Sequence, residues 1–431
     1  MQELFAEYTE QILTTLFWRM SVMGLMLTLV ACRQPTEPTP LTEVAATEVV
    51  ATETSIPPTD TTVPATDTPA PEADDLLIPA STPETAELLE EPGDVSITGI
   101  DSGIIAFTSV GDTVDLFALV PGQQPVRMTY AAGLSFEAVW SPSGQRIAYL
   151  FVDAATTDTD IWYFDITVGP QPLPVTTGDV AGDVERLSWS ADSEFLIYDA
   201  PQPDGVERDI YRVAIASGEI TNLTEDSPNW DASPTWSPDG QWIAFVSDRT
   251  EAGQASENIW LLDVASGQVQ QLTNSDATLQ EDIEPAWSPD SSQIAFIRHG
   301  LLGEAGDPSS PPGLWVVDVN TGEERLLVEL AGRLGGVQPP VWSPDGRWLA
   351  YNAPGLADAD IWVVATEGGE PINVSNLPGD DATISWAPSS QELIFTNADG
   401  GVMSQFIVDA DGSALRLLVE SGQNGLGHWS P

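Results

Sequence analysis

The sequence predicts an all-β fold, a closed ring built from repeats of four short antiparallel strands. Three observations predict it: one tryptophan-centred turn recurs at intervals of 43 to 55 residues, each interval has room for four strands, and the incomplete first repeat is complemented by the last. Four-stranded blades repeated around a channel define a β-propeller. The tryptophans that set the interval are Trp140, Trp189, Trp236, Trp287, Trp342, Trp386 and Trp429.

Each of these tryptophans opens a variant of the motif W-S-P-D-G. The fullest copies are residues 236–240 and 342–346, whereas residues 190–192 and 387–389 belong to degraded copies. Pro followed by Asp and Gly suits a tight type I turn. A short apolar strand follows each turn, as in Ile243-Ala244-Phe245. The motif therefore predicts a tight turn between two strands of a blade.

Two further strands complete each repeat. An Ile-Trp or similar pair marks the next strand, as at residues 161–162 and 259–260. A Gly-containing turn follows, clearest at residues 263–267, and leads to a strand that ends in Leu272-Thr273. With the strand that carries the tryptophan, this makes four antiparallel strands. Residues 96–431 contain no segment with sustained helical spacing of apolar residues.

The two ends of residues 96–431 predict how the ring closes. The last repeat stops at Trp429-Ser430-Pro431, and the first strand, at Ile105, has no tryptophan turn before it. Pairing of these two strands would complete one blade from both ends and remove an exposed sheet edge. We therefore predict a seven-bladed β-propeller. Six blades is the alternative, and it would leave one whole repeat unused.

The W-S-P-D-G, I-A-F and I-W elements of residues 96–431 resemble the WD40-like (PD40) repeats of TolB-type β-propellers. The resemblance implies the propeller fold and is specific for the repeat, but it says little about function. Two departures matter, because TolB has six blades behind an amino-terminal α/β domain and this sequence predicts seven behind a linker. The TolB role of binding the Pal lipoprotein is therefore not carried over.

Residues 1–32 are predicted to be a lipoprotein signal peptide. An apolar run from about Met20 ends at Cys32, and it is too short to span a bilayer. The tetrapeptide L-V-A-C resembles a bacterial lipobox, whose cysteine is lipidated before cleavage at its amino side. Residues 1–18 contain glutamates where a basic segment is expected, so an internal start such as Met20 is one alternative. A buried helix or an uncleaved anchor is another.

Residues 33–95 are predicted to be a disordered linker. They are crowded with Thr, Pro, Glu and Ala and contain no aromatic residue. Such a segment buries too little to offset the entropy of ordering. Directly after a lipidated cysteine, it would hold the β-propeller of residues 96–431 away from the membrane. Its composition also permits O-glycosylation.

Charge and cysteine content restrict the partners. The chain carries 13 basic and 66 acidic residues, a formal net charge of −53. Such a surface repels nucleic acid and anionic lipid headgroups, so membrane attachment is predicted only through the lipid on Cys32. One cysteine excludes an intramolecular disulfide and a thiolate metal site within one chain. We expect a monomer anchored outside the cytoplasm, in the periplasm or at the cell surface.

The ligand site is predicted on the face that carries the long loops, near the central channel. Because successive strands alternate in direction, the W-S-P-D-G and Gly turns share one face, and loops such as 223–232, 247–258, 272–285 and 298–313 share the other. The predicted ligand-binding residues are Trp230, Asp231, Asp248, Arg249, Glu281, Asp282, Glu284, Arg298 and His299. The alternative for each one is an ordinary solvated loop residue.

The repeat tryptophans are predicted to be core residues rather than a stacking platform. They recur at one position of every repeat, as packing between neighbouring blades requires. Trp230 lies outside the repeat positions and is the better candidate for ligand contact.

An enzyme is not the favoured interpretation. His299 and His428 are the only histidines, and His428 adjoins the closing tryptophan, which predicts a structural role. The sequence contains no G-x-S-x-G, G-x-G-x-x-G or P-loop motif. No catalytic residue is therefore predicted.

No cofactor or metal is predicted. The acidic pairs Asp158/Asp160, Asp358/Asp360 and Glu281/Asp282 offer oxygen ligands to calcium, which is the alternative. Asp160 and Asp360 occupy equivalent repeat positions, however, so a turn or strand-edge role is the simpler interpretation. No segment has the spacing of an EF-hand.

The favoured function is a membrane-anchored binding scaffold that recognises an envelope protein, peptide or glycan through the long-loop face. One alternative is a hydrolase or lyase acting on extracellular polymer, with loop-face carboxylates as acid and base. Another is a structural component of the envelope. The enzyme requires two buried carboxylates that converge, at least one with a raised pKa, whereas scattered hydrated carboxylates would argue against it.

Overall fold

The computed structural model describes most of the chain from residue 103 onward. The described ranges are 103–110, 114–120, 124–130, 133–153, 159–176, 184–202, 207–225, 227–249, 256–275, 280–300, 312–330, 338–354, 358–399, 402–419 and 424–431. They belong to one compact unit. The predicted signal peptide with Cys32 and the predicted linker lie outside them. Among the described residues, no helix is long and apolar enough to cross a membrane.

All regular secondary structure in these ranges is β-strand. The strands are β1 (Ile105–Val110), β2 (Val114–Leu119) and β3 (Val126–Arg127); β4 (Gly133–Trp140), β5 (Arg146–Asp153), β6 (Thr159–Asp165) and β7 (Gly169–Pro174); β8 (Glu185–Trp189), β9 (Phe195–Pro201), β10 (Arg208–Ala214) and β11 (Ile220–Asn222); β12 (Asp231–Trp236), β13 (Trp242–Ser247), β14 (Asn258–Asp263) and β15 (Val269–Gln271); β16 (Gln280–Trp287), β17 (Gln293–Gly300), β18 (Gly313–Asp318) and β19 (Glu324–Glu329); β20 (Val341–Trp342), β21 (Trp348–Pro354), β22 (Ala359–Ala365) and β23 (Ile372–Asn373); β24 (Asp380–Trp386), β25 (Glu392–Asp399), β26 (Val402–Asp409) and β27 (Arg416–Val419); and β28 (Asn424–Trp429).

Antiparallel pairing groups the strands of the described ranges into sets of four, which we call blades 1 to 7. Blade 1 has the order β28-β1-β2-β3, and each later blade takes the next four strands in chain order. The all-β fold and its four-stranded antiparallel blades are thereby confirmed. A parallel bridge between Val114 and Leu134 joins blades 1 and 2 into one eight-stranded sheet. The structure thus has fewer separate sheets than blades, and the number of blades, seven, stays a prediction.

The W-S-P-D-G motif forms its turn through the serine and the aspartate. In blade 4 the Ser237 hydroxyl donates to Asp239 Oδ1 at 2.6 Å and accepts the N–H of Trp242 at 3.0 Å. Asp239 Oδ1 also accepts the N–H of Gln241 at 3.0 Å. Gly240 has a φ of 75°, a conformation that favours glycine. The serine, the aspartate and the glycine of the motif thus each stabilise the turn, and the proline begins it.

The last strand pairs with the first, as predicted. Ile105 lies opposite Trp429 in the antiparallel register of β1 and β28. The N–H of Ser430 donates to the Ile104 carbonyl at 2.7 Å, and the N–H of Ile104 donates to the Ser430 hydroxyl at 3.1 Å. The first strand of every blade lies against that of the next, from β4 round to β28, and β28 lies against β4. These inner strands therefore surround the centre of the ring.

The repeat tryptophans pack between blades, as predicted. Six of them are buried, and Trp140 is half-buried. The indole N–H of Trp287 donates to the carbonyl of Thr235, the residue before the tryptophan of the preceding blade, at 3.1 Å. The same bond is made by Trp189, Trp342 and Trp386. These tryptophans thus supply both apolar contact and a directional bond between blades.

His428 has a structural position, as predicted. Its carbonyl accepts the indole N–H of Trp140 at 3.2 Å, so the series of tryptophan bonds crosses the closure between β28 and blade 2. Burial lowers the pKa of its imidazole to about 4, and the ring is therefore uncharged at neutral pH.

Apolar side chains of neighbouring blades form the core between them. In β13, Ile243 and Phe245 pack with Ile197 of blade 3, whereas Ala244 packs with Phe296 of blade 5. Alternate residues of a strand point to opposite faces of the sheet. The I-A-F motif therefore serves two neighbours at once. Burying an Ile or Phe side chain contributes roughly 1.5–3 kcal/mol.

Candidate functional site

The structure places the nine predicted ligand residues in blades 4 and 5, at or near the strand ends opposite the W-S-P-D-G turns. Their assignment to loops is wrong for six of them, which lie in strands: Asp231 in β12, Glu281, Asp282 and Glu284 in β16, and Arg298 and His299 in β17. β16 and β17 stay paired out to Gln280 and Gly300, so both strands extend past their apolar residues and include these charged ones. Their role in ligand binding stays a prediction.

Four of the nine residues form two buried ion pairs. Arg298 donates to both oxygens of Asp282, at 2.6 and 2.7 Å, and its Nη1 lies 2.9 Å from Glu324. Arg249 donates through Nη2 to one oxygen of Asp231, Oδ2. Both aspartates are fully buried and stand five residues before the tryptophan of their blade. These pairs hold the strand ends together, because removing one partner would leave a buried charge.

Both arginines also lie over aromatic rings of their own blade. The guanidinium carbon of Arg249 is 5.2 Å from the ring centre of Phe245 and 5.6 Å from that of Trp260. In blade 5, Arg298 stands 5.3 Å from Phe296 and 4.7 Å from Trp315. These distances suit a cation–π contact. The two blades thus repeat one Asp–Arg–aromatic arrangement.

The other carboxylates form a group that we call the acidic cluster: Asp248, Glu257, Glu281 and Glu284. Glu257 precedes β14 of blade 4, and its carbonyl accepts the N–H of Asp282 in blade 5 at 2.9 Å. Glu281 and Glu284 are buried. The cluster therefore spans the junction between two blades on the inner side of the ring.

Two carboxyl groups of the acidic cluster, those of Glu257 and Glu281, resist ionisation. Burial raises the pKa of Glu257 well above its ordinary value, and the charges of Glu281, Asp248 and Glu284 raise it further. Burial also raises the pKa of Glu281. A carboxyl that keeps its proton near neutral pH can act as an acid or a hydrogen-bond donor. Sequence reasoning did not identify Glu257, because it lies in a loop and matches no repeat position.

The imidazole of His299 and the guanidinium of Arg186 adjoin the acidic cluster. Nε2 of His299 lies 3.2 Å from Oε2 of Glu281. Nη2 of Arg186 donates to Oε1 of Glu284 at 2.6 Å. Arg186 belongs to β8 of blade 3, whereas Glu284 belongs to β16 of blade 5. Their ion pair therefore bypasses blade 4 and joins two blades that are not neighbours.

A repeated bulge in the inner strands makes that ion pair possible. The third residue before the repeat tryptophan has positive φ in five blades: Glu137 (53°), Arg186 (55°), Ser233 (51°), Glu284 (57°) and Thr383 (52°). The strand pairing shifts register at the same place. A bulge redirects the side chain that it carries. In blade 4 the position holds the small Ser233, which leaves room for Arg186 to reach Glu284.

Trp230, the favoured contact residue, is partly buried beside the acidic cluster. Its N–H donates to Oδ1 of Asp248 at 3.0 Å, which ties the two residues together. Its ring packs against the core between blades 4 and 5. Part of the side chain is exposed. Contact with a ligand therefore stays a prediction for this residue.

Two aspartates of the acidic pairs considered for calcium, Asp160 and Asp360, accept hydrogen bonds from their own blades. Asp160 Oδ1 accepts the Thr176 hydroxyl at 3.2 Å, and Asp360 Oδ2 accepts the Asn373 amide at 3.0 Å. Asp158 lies outside the described residues. Within the described ranges, no group of three or more His, Cys, Asp or Glu side chains is placed to hold a metal ion.

Two segments, residues 117–299 and 283–431, match the family described as TolB beta propeller domain, PD40. Together they cover well over half of the chain, including blades 2 to 7. The chain belongs to this TolB β-propeller family. The resemblance of the repeat motifs is thereby confirmed, and the acidic cluster lies inside the region that the TolB family match covers.

Curated relatives of this TolB-family chain include proteins of different lengths. The Tol-Pal system protein TolB of Francisella tularensis subsp. holarctica is 25% identical over 244 residues, which cover 55% of this chain and 51% of that protein. An uncharacterized protein of Agrobacterium fabrum is 24% identical over 261 residues, which cover 57% of this chain and 81% of that protein. The chain therefore spans about half the length of the TolB protein that it matches.

Solved structures similar to this TolB-family chain include an enzyme. An oligogalacturonate lyase from Vibrio parahaemolyticus has a TM-score of 0.55 at 15% identity, covering 71% of this chain and 86% of that chain. A likeness at this level of identity shows the fold alone.

Proposed function

We propose that this chain is a binding scaffold outside the cytoplasm, which recognises a partner at the acidic cluster on the long-loop side of blades 4 and 5. The acidic cluster is the observation that carries the proposal. Asp231 and Asp282 are held by arginines of their own blades, but the cluster gathers four carboxylates beside a partly exposed tryptophan. Carboxylates held together at such a cost in repulsion favour a functional role over a purely structural one.

A protein or peptide partner in the envelope is favoured over a glycan. The relative named TolB is a Tol-Pal system protein, so at least one propeller of this family works within a system of proteins. A net charge of −53 would draw basic partners by long-range attraction. Lipidation at Cys32 and a linker over residues 33–95 would hold the propeller near its partner, and both belong to the proposal.

The test is capture of partners from envelope extracts with the full chain as bait. Three baits are compared: the natural chain, Glu281→Gln in the acidic cluster, and Glu323→Gln in an exposed turn of blade 5. We expect the natural chain and Glu323→Gln to retain the same protein and Glu281→Gln to retain at least tenfold less. Equal retention by all three baits contradicts the assigned surface, and retention by none favours the structural alternative.

A polymer-cleaving enzyme is the second candidate function. The raised pKa of both Glu257 and Glu281 supports it, because a raised pKa is one of the two conditions stated for a carboxylate pair working as acid and base. The shared fold with an oligogalacturonate lyase adds a precedent for enzymes on this scaffold. The candidate predicts that extracellular polysaccharides are depolymerised by the natural chain and not by Glu257→Gln or Glu281→Gln. Absence of any products from a panel of such polymers contradicts it.

A further inference from the structure

We infer that the acidic cluster is a subsite for one cationic side chain, the ammonium of a lysine or the guanidinium of an arginine, presented by a protein partner. The inference rests on the proposed function and names the chemistry that its site recognises. Charge alone does not carry it, because clusters of carboxylates also occur on solvated surfaces. Three features of the site support it, two of its geometry and one of its charge.

The first feature is a buried oxygen that lacks a hydrogen-bond donor. The Glu281 side chain is 6% exposed, and its Oε2 accepts no hydrogen bond among the described residues. The imidazole nitrogen Nε2 of His299 lies 3.2 Å from this oxygen. A buried acceptor left without a donor costs roughly 1–3 kcal/mol. A ligand N–H placed there would recover that free energy.

The second feature is the order of residues along β16. Glu281 stands near the loop end of the strand, and Glu284 lies three residues closer to the tryptophan turn, roughly 10 Å further along the strand. The ion pair between Glu284 and Arg186 crosses from blade 5 to blade 3 at that depth. It forms a floor under Glu281. A ligand side chain would therefore reach Glu281 from the loop face, the side away from this ion pair.

The third feature concerns the kind of cation. Ammonium and guanidinium groups present several N–H donors and one charge. The described residues place no set of three ligands for a metal ion, and the positive charge of Arg186 lies within the site. One added positive charge can be balanced by loss of one proton from Glu257 or Glu281, whose carboxyls interact electrostatically with each other. Binding would then leave the net charge of the site unchanged.

The probes are three blocked pentapeptides, identical except for a central lysine, arginine or norleucine. Binding to the full chain is measured by calorimetry near pH 7 in two buffers of different ionisation enthalpy, so that proton release is counted. We expect the lysine and arginine peptides to bind with release of up to one proton. We expect the norleucine peptide to bind at least tenfold more weakly. Equal binding of all three peptides overturns the inference.

Two variants and one metal control sharpen the test. Glu281→Gln should weaken the lysine peptide at least tenfold and reduce proton release, with an unchanged or higher Tm that shows a folded protein. Glu323→Gln should bind as the natural chain does. Calcium alone is added as a competitor: displacement of the lysine peptide at equimolar calcium would indicate a metal site and overturn the inference.

The inference and the proposed function fail separately. If a protein partner is captured from envelope extracts equally well by the natural chain and Glu281→Gln, while the lysine peptide fails to bind, the cationic subsite is wrong and the scaffold role stands. If the lysine peptide binds at Glu281 but no partner is captured, the subsite stands and the scaffold role is wrong.

Discussion

Two positions of the same repeat behave in opposite ways. At the tryptophan position, every repeat holds the same residue, and in five repeats the indole N–H bonds to the preceding blade. Three residues earlier, five blades share the same bulged backbone but hold Glu, Arg, Ser, Glu and Thr. The tryptophan position therefore stabilises the ring, whereas the bulge position places different side chains at equivalent points of the ring. A functional site is best sought at positions that have the same backbone geometry in each blade but different side chains.

The largest expected effect comes from the tryptophan position. Trp342→Ala removes a buried indole and its bond to the Ala286 carbonyl, made at 3.0 Å. We expect the free energy of unfolding to fall by about 3–5 kcal/mol, as measured by urea denaturation. Trp342→Phe keeps most of the apolar contact and should cost less. Ser233→Ala, at the bulge, should change stability by less than about 0.5 kcal/mol. Equal losses of stability at the two positions would contradict the claim that the tryptophan position stabilises the ring and the bulge position does not.

A smaller effect is expected at the ion pair that joins blades 3 and 5. Arg186→Gln and Glu284→Gln each remove one partner of a contact that is partly exposed on the arginine side. In a double-mutant cycle we expect a coupling of about 1 kcal/mol, since solvent screens part of the attraction. The same cycle on Arg416 and Glu392, an exposed pair of blade 7, provides the control and should give less. A coupling of zero between Arg186 and Glu284 would contradict the floor of the site.

The smallest effect is a pH dependence of stability. Burial, together with Glu281, Asp248 and Glu284, raises the pKa of Glu257 in the folded chain, whereas the unfolded chain titrates near about 4.3. Its stabilising contribution is complete below that value and is lost as pH rises through the folded pKa. Glu257→Gln keeps a neutral side chain, so its Tm should match that of the natural chain near about pH 4 and exceed it by about 2–4 °C near about pH 9.

One other charged group bears on this measurement. Arg186, which pairs with Glu284, stays charged throughout the pH range and therefore does not contribute to the change. Glu323→Gln is the matched control, and its Tm should follow that of the natural chain at every pH. A constant difference between Glu257→Gln and the natural chain from about pH 4 to about pH 9 would contradict the assigned titration.

Much of the fold was predictable because the same short motifs recur in each repeat. The tryptophan turns, the I-A-F strands and the missing partner of Ile105 all follow from local patterns that recur. The strand ends were not predictable in the same way. Asp282 and Arg298 look like loop residues in the sequence, because burial of a polar residue depends on an ion partner that sequence periodicity does not reveal.

The candidate site was predictable only in part, for a related reason. Three of the four carboxylates of the acidic cluster were among the predicted residues, but Glu257 and the neighbouring Arg186 were not. Arg186 reaches the site across blade 4, and only the ring brings β8 and β16 together. The bulge offers a usable signal: the third residue before each W-S-P-D-G tryptophan can be read from the sequence and compared among blades.

The claim that partners bind beside the acidic cluster is tested most directly by site-specific cross-linking. A photoreactive phenylalanine analogue replaces Trp230 in one full-length variant and Tyr130, an aromatic residue of the described region that is 51% exposed, in another. Both variants are irradiated in envelope extracts. The account predicts a specific cross-linked protein from position 230, reduced by Glu281→Gln, and none from position 130. The same product from both positions, or a product from position 130 alone, would contradict it.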